Sequence, residues 1–269
     1  MKKNGTTRIV SHIRLSESHF QLVLQAPAIA RQAVPGQFVQ VQVTPVYHPL
    51  LRRPFSIQQV RRGTISLFYR VVGKGTRVLS ERKPGESLNL LGPLGQGFTF
   101  DRGCRSALLI GGGMGVAPLV FLADSLVKKG IPVTLLFGQP ARDRQVEKAL
   151  FAHYQGTTCR VRLASEKREP GAFFGRVTEL AGHVLKEGNL PDTGLRIFSC
   201  GPWPMFQALK KALGPYPGIC QVSLEGNMAC GFGACLGCAV KLYRNEGYAQ
   251  VCKDGPVFNI NEVDFSVRN

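Results

Sequence analysis

With 269 residues, 44% of them hydrophobic, the chain is long enough for two domains with separate apolar cores. Lysine and arginine outnumber acidic residues 34 to 17, for a net charge of +17. The charge is spread, with no polybasic run or RNA-binding aromatic signature, so a solvated basic surface or docking to an acidic redox partner is expected rather than nucleic-acid binding. Residues 1–20 contain lysines but no apolar stretch behind them and do not read as a signal peptide, which points to the cytoplasm. Residues 106–127 have the length of a membrane helix, but glycines and a proline interrupt them early.

Residues 8–100 carry short β-prone runs, among them 38–43, 55–60 and 64–72, separated by proline and glycine turns, and read as an antiparallel sheet or barrel. Within them, Arg52-Arg53-Pro54-Phe55-Ser56-Ile57 combines a fixed cation, an aromatic plane and a hydroxyl. Such a set can hold a phosphate, cover a ring and hydrogen-bond a ring nitrogen, although an ordinary basic strand edge has the same composition. The next group, Tyr69-Arg70-Val71-Val72-Gly73-Lys74-Gly75-Thr76, ends a strand in glycines and places Thr76 as a helix N-cap, a second anion site.

From residue 106 the pattern changes to apolar runs alternating with helical stretches: 107–110, 119–128, 133–137, 159–164, 196–199 and 206–213. A parallel α/β sheet follows from that rhythm. Its first strand leads into Gly111-Gly112-Gly113-Met114-Gly115-Val116-Ala117-Pro118, a loop that lets the backbone approach a pyrophosphate at a helix start. A proline stands where the common dinucleotide fingerprint has its third glycine. Farther on, Ser199-Cys200-Gly201-Pro202 falls on the same carboxyl edge of the sheet, although a buried, purely structural role would also suit Cys200.

The eight cysteines are an even number, but with no secretory segment and a chain too large to need disulfide staples, reduced thiols are expected. Cys230, Cys235 and Cys238 have the C-x4-C-x2-C spacing of plant-type 2Fe-2S ligation, with Cys252 as the distant fourth thiolate. Gly231, Gly233 and Gly237 provide the tight backbone and the amide approach to sulfur that wrapping a small inorganic core requires. Structural zinc is the competing occupant, but such sites usually pair two short C-x2-C hooks. Cys220 lies outside the spacing.

Taken in this order, RPFS, GKGT, GGGMGVAP and SCGP resemble the ferredoxin-NADP reductase superfamily over residues 8 to about 215. The stretch from Glu225 to Cys238, with Asp254-Gly255-Pro256-Val257-Phe258 later, is similar to electron-transfer subunits of NAD-dependent dihydroorotate dehydrogenase. The resemblance implies an FAD-binding antiparallel β-barrel (residues 1–101), a nucleotide-binding α/β domain (102–219) and a 2Fe-2S segment (220–269). It implies that Arg53 meets the FAD phosphates, Phe55 the flavin or its ribityl face, and Ser56 the flavin edge, with Pro54 among the cofactor-binding residues. Tyr69, Arg70 and Val71 would line the flavin side, with Gly75 and Thr76 at the pyrophosphate. Gly111, Gly112, Gly113 and Gly115 would hold the nicotinamide nucleotide, with Cys200 and Gly201 near its reactive ring.

The implied partner is an FMN-containing dihydroorotate dehydrogenase catalytic subunit, in a heterotetramer. The implied cofactors are FAD, a 2Fe-2S cluster and NAD, and hydride chemistry belongs to the flavin, so no side-chain acid or base is nominated. Arg142 and Arg144 would suit the 2′-phosphate of NADP and Asp143 the free 2′-hydroxyl of NAD, while the resemblance favours NAD. The alternatives are a ferredoxin-linked NADP reductase or sulfite reductase subunit, and a non-enzymatic zinc-bearing interaction module.

Overall fold

The computed structural model describes residues 3–46, 48–100, 103–188, 190, 193–214, 219–243 and 247–267. Strands β1 (Lys3–Arg14), β2 (His19–Gln25), β3 (Phe38–Gln42), β4 (Arg53–Arg61), β5 (Thr64–Arg70) and β6 (Ser87–Leu94) close into an antiparallel barrel in the order β1-β2-β5-β4-β3-β6. Alternation does the sorting. In β6, Leu88 and Leu90 enter the barrel core while Asn89 and Leu91 turn away. Helix α1 (Pro27–Ala30) follows β2, and α2 (Lys74–Ser80) follows β5.

The second half alternates β7 (Ser106–Gly112), α3 (Val116–Lys128), β8 (Val133–Gln139), α4 (Arg144–Phe151), β9 (Cys159–Ser165), β10 (Phe173–Phe174), α5 (Val177–Lys186), β11 (Leu195–Cys200), α6 (Trp203–Leu213) and β12 (Ile219–Ser223). These strands lie parallel in the order β10-β9-β8-β7-β11-β12. Covered on both faces, β7 is an unbroken apolar run, buried from Ser106 to Gly111, rather than an alternating one. Pro118 falls in the first turn of α3, where a missing N–H costs nothing. No helix among the described residues is long and apolar enough to cross a membrane, and residues 106–127 resolve into β7, the glycine loop and α3.

The C-terminal segment is sewn into this sheet. After β12 the chain leaves for a lobe containing the cysteine loop and a hairpin of β13 (Ala239–Lys241) and β14 (Tyr248–Gln250), then returns as β15 (Val257–Asn259) antiparallel to β12. The expected division at 219/220 therefore falls inside a strand, and the division at 101/102 lies outside the described residues.

Helix α3 lies between barrel and sheet, Phe121 packing into the barrel core and Leu119 into the sheet's. Gln59 of β4 donates to Asp124 of α3 at 2.7 Å. The crossing segment is fixed by Gln221, whose side chain accepts from the Thr99 N–H (2.9 Å) and donates to its carbonyl (2.6 Å). Phe98 meets Phe198 edge-on at 5.6 Å. Phe38 and Leu94, on the outside of the barrel, share one apolar core with Cys238, Val251 and Cys252 of the cysteine lobe.

Candidate redox site

A cleft of about 800 Å³ runs between the barrel rim and the carboxyl edge of the parallel sheet. Because β7, β8, β11 and β12 point the same way, their ends meet there: Gly112, Gly138, Gly201 just beyond Cys200, and Ser223 all line it. From the barrel come Arg53, Pro54, Phe55 and Ser56 of β4, Tyr69 and Arg70 of β5, and Thr76 of α2. Cross-strand pairing sets Ser56 opposite Phe38, and both face the cleft.

Two cations and two aromatic rings thus stand on one wall. The Arg53 guanidinium is turned by bonds to the Leu51 and Arg52 carbonyls, at 2.5 and 3.3 Å. It lies over the first turn of α2, where a Cβ on Gly75 would come within 2.5 Å of its Nε. Tyr69 tilts against Phe55 at 5.5 Å and stacks on Phe20, while its hydroxyl is bonded to the His12 ring at 2.8 Å. Burial pushes the Tyr69 phenol well above its ordinary value. Charge, ring faces and a space of this size fit a ring-bearing diphosphate such as FAD.

Thr76 is not the N-cap. Gly73 holds that position in extended backbone, and Thr76 sits three residues on, its Oγ1 accepting from the Val72 and Gly73 amides (2.9 and 3.2 Å). The helix begins earlier than expected because the threonine hydroxyl reaches back to close its first turn.

On the sheet side, Gly112, Gly113 and Gly115 line the cleft, while Gly111 is buried beneath it against Val116. A Cβ at Gly115 would collide with the Cys200 carbonyl oxygen, so a side chain there requires the backbone to shift. Gly201 is exposed to the cleft, but the Cys200 thiol is buried, 1% exposed, and does not line it. Desolvation, with the nearby Glu225 carboxylate, holds that thiol well above its usual range. Val71 likewise turns from the cleft and packs against the barrel core.

The cleft also contains residues to which the sequence assigned no cofactor contact. Glu225, Gly226, Asn227 and Met228 form its wall on the way to Cys230. Glu225 is open to the cleft yet closely surrounded by protein atoms, and this desolvation raises its carboxyl above the ordinary range against the pull of Arg70. The signal available was position: Glu225 begins two residues after a strand that ends on the ligand edge.

Arg142 is committed elsewhere. Its Nε bonds both Glu147 oxygens at 3.0 and 3.2 Å, and its amide donates to Glu169 at 2.9 Å. Asp143 caps α4 by accepting the Val146 N–H at 3.1 Å. The second Asp143 oxygen lies 3.8 Å from the His19 ring, and Arg142, Asp143 and Arg144 line a pocket beside the cleft.

The four C-terminal cysteines come together as two pairs. Cys235 lies beside Cys230, and Cys238 beside Cys252, whose amide donates to Cys238 Sγ at 3.4 Å. Although burial opposes it, the Phe232, Cys235 and Ala234 amides and the neighbouring Cys235 thiol hold the Cys230 thiol down to about 6. Cys252 is pushed up to about 12, first by burial and then by its neighbours Cys238 and Cys230. Among the described residues no three metal-ligating side chains converge on a point that would hold a single ion. Two thiol pairs with inward amides suit a two-iron core better than tetrahedral zinc. The tight turns are made at Gly231 (φ 78°), Gly233 (φ 97°) and, unexpectedly, Leu236 (φ 58°) rather than Gly237.

Comparison with known proteins agrees. Residues 6–98 match the oxidoreductase FAD-binding domain family, and residues 225–264 match the iron-sulfur cluster binding domain of dihydroorotate dehydrogenase B. The chain is 38% identical over 268 residues to the dihydroorotate dehydrogenase B (NAD(+)) electron transfer subunit of Geobacillus sp. (strain WCH70), covering 98% of this chain and 99% of that one. It is 37% identical to the same-named subunit of Desulforamulus reducens, covering 96% and 97%. In fold, an NADH-dependent reduced ferredoxin-NADP oxidoreductase superposes with a TM-score of 0.82 at 24% identity, covering 97% of this chain and 90% of the other. The ferredoxin NADP+ reductase of Neisseria gonorrhoeae gives 0.66 at 15% identity, covering 78% and 90%. With near-complete coverage at this identity and a cluster-binding segment in register with its paired thiols, the chain belongs to the dihydroorotate dehydrogenase B electron transfer subunits.

Proposed function

We propose that this chain carries electrons from a dihydroorotate-oxidising catalytic subunit to NAD+. The observation that carries the reading is continuity: residues 225–228 line the nucleotide cleft and run directly into the first cysteine of the two thiol pairs. When bound, the cluster would supply one-electron transfer and the flavin the exchange of a hydride, two electrons with a proton, with NAD+.

The residues divide this work. Arg53 and the first turn of α2 at Gly75 and Thr76 hold the flavin diphosphate, while Pro54, Phe55, Ser56, Tyr69 and Arg70 fix the ring against the barrel. Val71 contributes through its backbone. Gly112, Gly113 and Gly115 receive the nicotinamide nucleotide, Gly111 shapes the turn beneath them, and Cys200-Gly201 supports the reacting ring from below. Cys230, Cys235, Cys238 and Cys252 hold the cluster. Barrel, sheet and cysteine lobe are the three functional parts, the lobe beginning after β12.

The partner is an FMN-containing catalytic subunit, in a heterotetramer. The tip of the cysteine loop supports this reading, because Phe232 and Leu236 are 45% and 65% exposed on either side of the exposed Cys235. Large apolar side chains around an electron outlet suit burial by another protein. The cytoplasm suits the chain's eight free thiols.

The decisive experiment mixes the purified chain with an FMN-type dihydroorotate dehydrogenase subunit. Alone, the chain should oxidise NADH with dyes but leave dihydroorotate untouched, and the mixture should reduce NAD+ with dihydroorotate. Dihydroorotate oxidation by the isolated chain, or no coupling with any such subunit, would overturn the assignment.

A further inference from the structure

Val39 and Val41 of β3 enter the barrel core, so alternation turns Gln40 outward, into the seam where the cysteine lobe covers the barrel. There it is completely buried, at 0% exposure, and neither Nε2 nor Oε1 has a hydrogen-bond partner. Buried amides are almost always bonded at one end at least, and one unpaired at both ends calls for a partner. Its neighbour identifies that partner. A Cβ on Gly231, the residue after Cys230, would lie 2.6 Å from Gln40 Cγ and 2.7 Å from Nε2. The loop's own amides from Phe232 and Ala234 already reach Cys230 Sγ at 3.5 and 3.3 Å, and Gln40 brings a further donor from outside the loop. With both amide atoms unpaired, the group can turn its NH2 toward sulfur in either orientation. On its other side Gln40 pairs across the sheet with Pro54, between Arg53 and Phe55 of the flavin wall.

We propose that Gln40 is a positioning residue for the iron-sulfur cluster, its side-chain amide donating a hydrogen bond to a cluster sulfide or ligating thiolate. This inference rests on the cluster reading above. A donor at sulfur stabilises the extra negative charge of the reduced cluster and so raises its potential. The same bond pins the cysteine loop to the strand next to the flavin site, fixing the spacing across which single electrons pass.

The test uses the full chain, purified anaerobically. Wild-type protein without iron and sulfide would retire the cluster reading itself and Gln40's role with it. In cluster-bearing protein, Gln40→Met keeps the side chain's length and removes the donor. It is expected to shift the one-electron reduction equilibrium about tenfold toward the oxidised cluster, about 59 mV, with the FAD potential unchanged. It should also delete one exchangeable-proton coupling from the pulsed paramagnetic resonance spectrum of the reduced cluster. Retention of that coupling overturns the proposal whatever the potential does. If Gln40→Met holds no cluster, the glutamine side chains of otherwise native protein are labelled with nitrogen-15. This is done in a Gln250→Met background, because Gln250 is the other glutamine against the loop, its Oε1 lying 2.7 Å from a Cβ on Gly233. Coupling of a labelled nitrogen to the reduced cluster supports the bond, and its absence overturns it.

Discussion

The Arg53 guanidinium and the bare backbone of Gly75 are in direct contact, so two different substitutions should have one effect. Arg53→Ala should weaken FAD retention by about 1.5–3 kcal/mol, the range for a hydrogen bond to a charged group. Gly75→Ala should weaken it too, because the new methyl displaces the flexible guanidinium while leaving the barrel intact. Flavin fluorescence released on dilution measures both, and undiminished retention in the pair would remove Arg53 from the diphosphate site. Glu225 allows a pH test. Its carboxyl is raised by burial, so it favours the folded state only while protonated, and that contribution is lost as pH rises through the folded value. Above the ordinary carboxylate range the raised group works against folding. Glu225→Gln should therefore match the parent in denaturant at about pH 4 and exceed it at pH 7. An advantage of equal size at both would contradict the sign.

Among the elements, the helix following the glycine loop is held closest. Gly115→Ala would force α3 away from the Cys200 carbonyl, and overpacking of this kind costs about 1–3 kcal/mol. A lowered denaturation midpoint with unchanged slope is the expected record. Cys235→Ser should abolish or alter the cluster signal while much of the FAD stays bound, since the barrel has its own core; flavin loss in step with iron would refute that independence. The strands were legible because their signals are local: β6 alternates with period two and β7 is apolar throughout. The C-x4-C-x2-C spacing is likewise local to the sequence. What escaped reading depended on contacts between distant segments. Thr76 as a cap partner rather than a cap was decided by where Gly73 turned, and β15 has too few residues to announce a strand before β12 offers it an edge. Gln40 sits in a strand pattern like any outward polar residue, and only the lobe folded over it makes it buried.

At the scale of the whole molecule, barrel, sheet and lobe meet around one cleft, and the cysteine loop projects from it toward solvent. Coupled dihydroorotate-dependent NAD+ reduction should be lost first in the cysteine variants, and direct NADH oxidation by dyes should survive better. If the +17 charge aids docking, association with the catalytic subunit should slow as salt is added, through screening over about 10 Å at 0.1 M. A stopped-flow salt series reads this directly, and an association rate indifferent to salt would assign the charge to solvation alone. The pairing of β12 with β15 has a consequence for the iron-free chain. The lobe departs from and returns to neighbouring strands, so sheet hydrogen bonds offset part of the entropy of closing that long excursion. The β12–β15 pairing is accordingly expected to persist in iron-free protein, where slowed amide exchange along β12 would show it and rapid exchange would refute it.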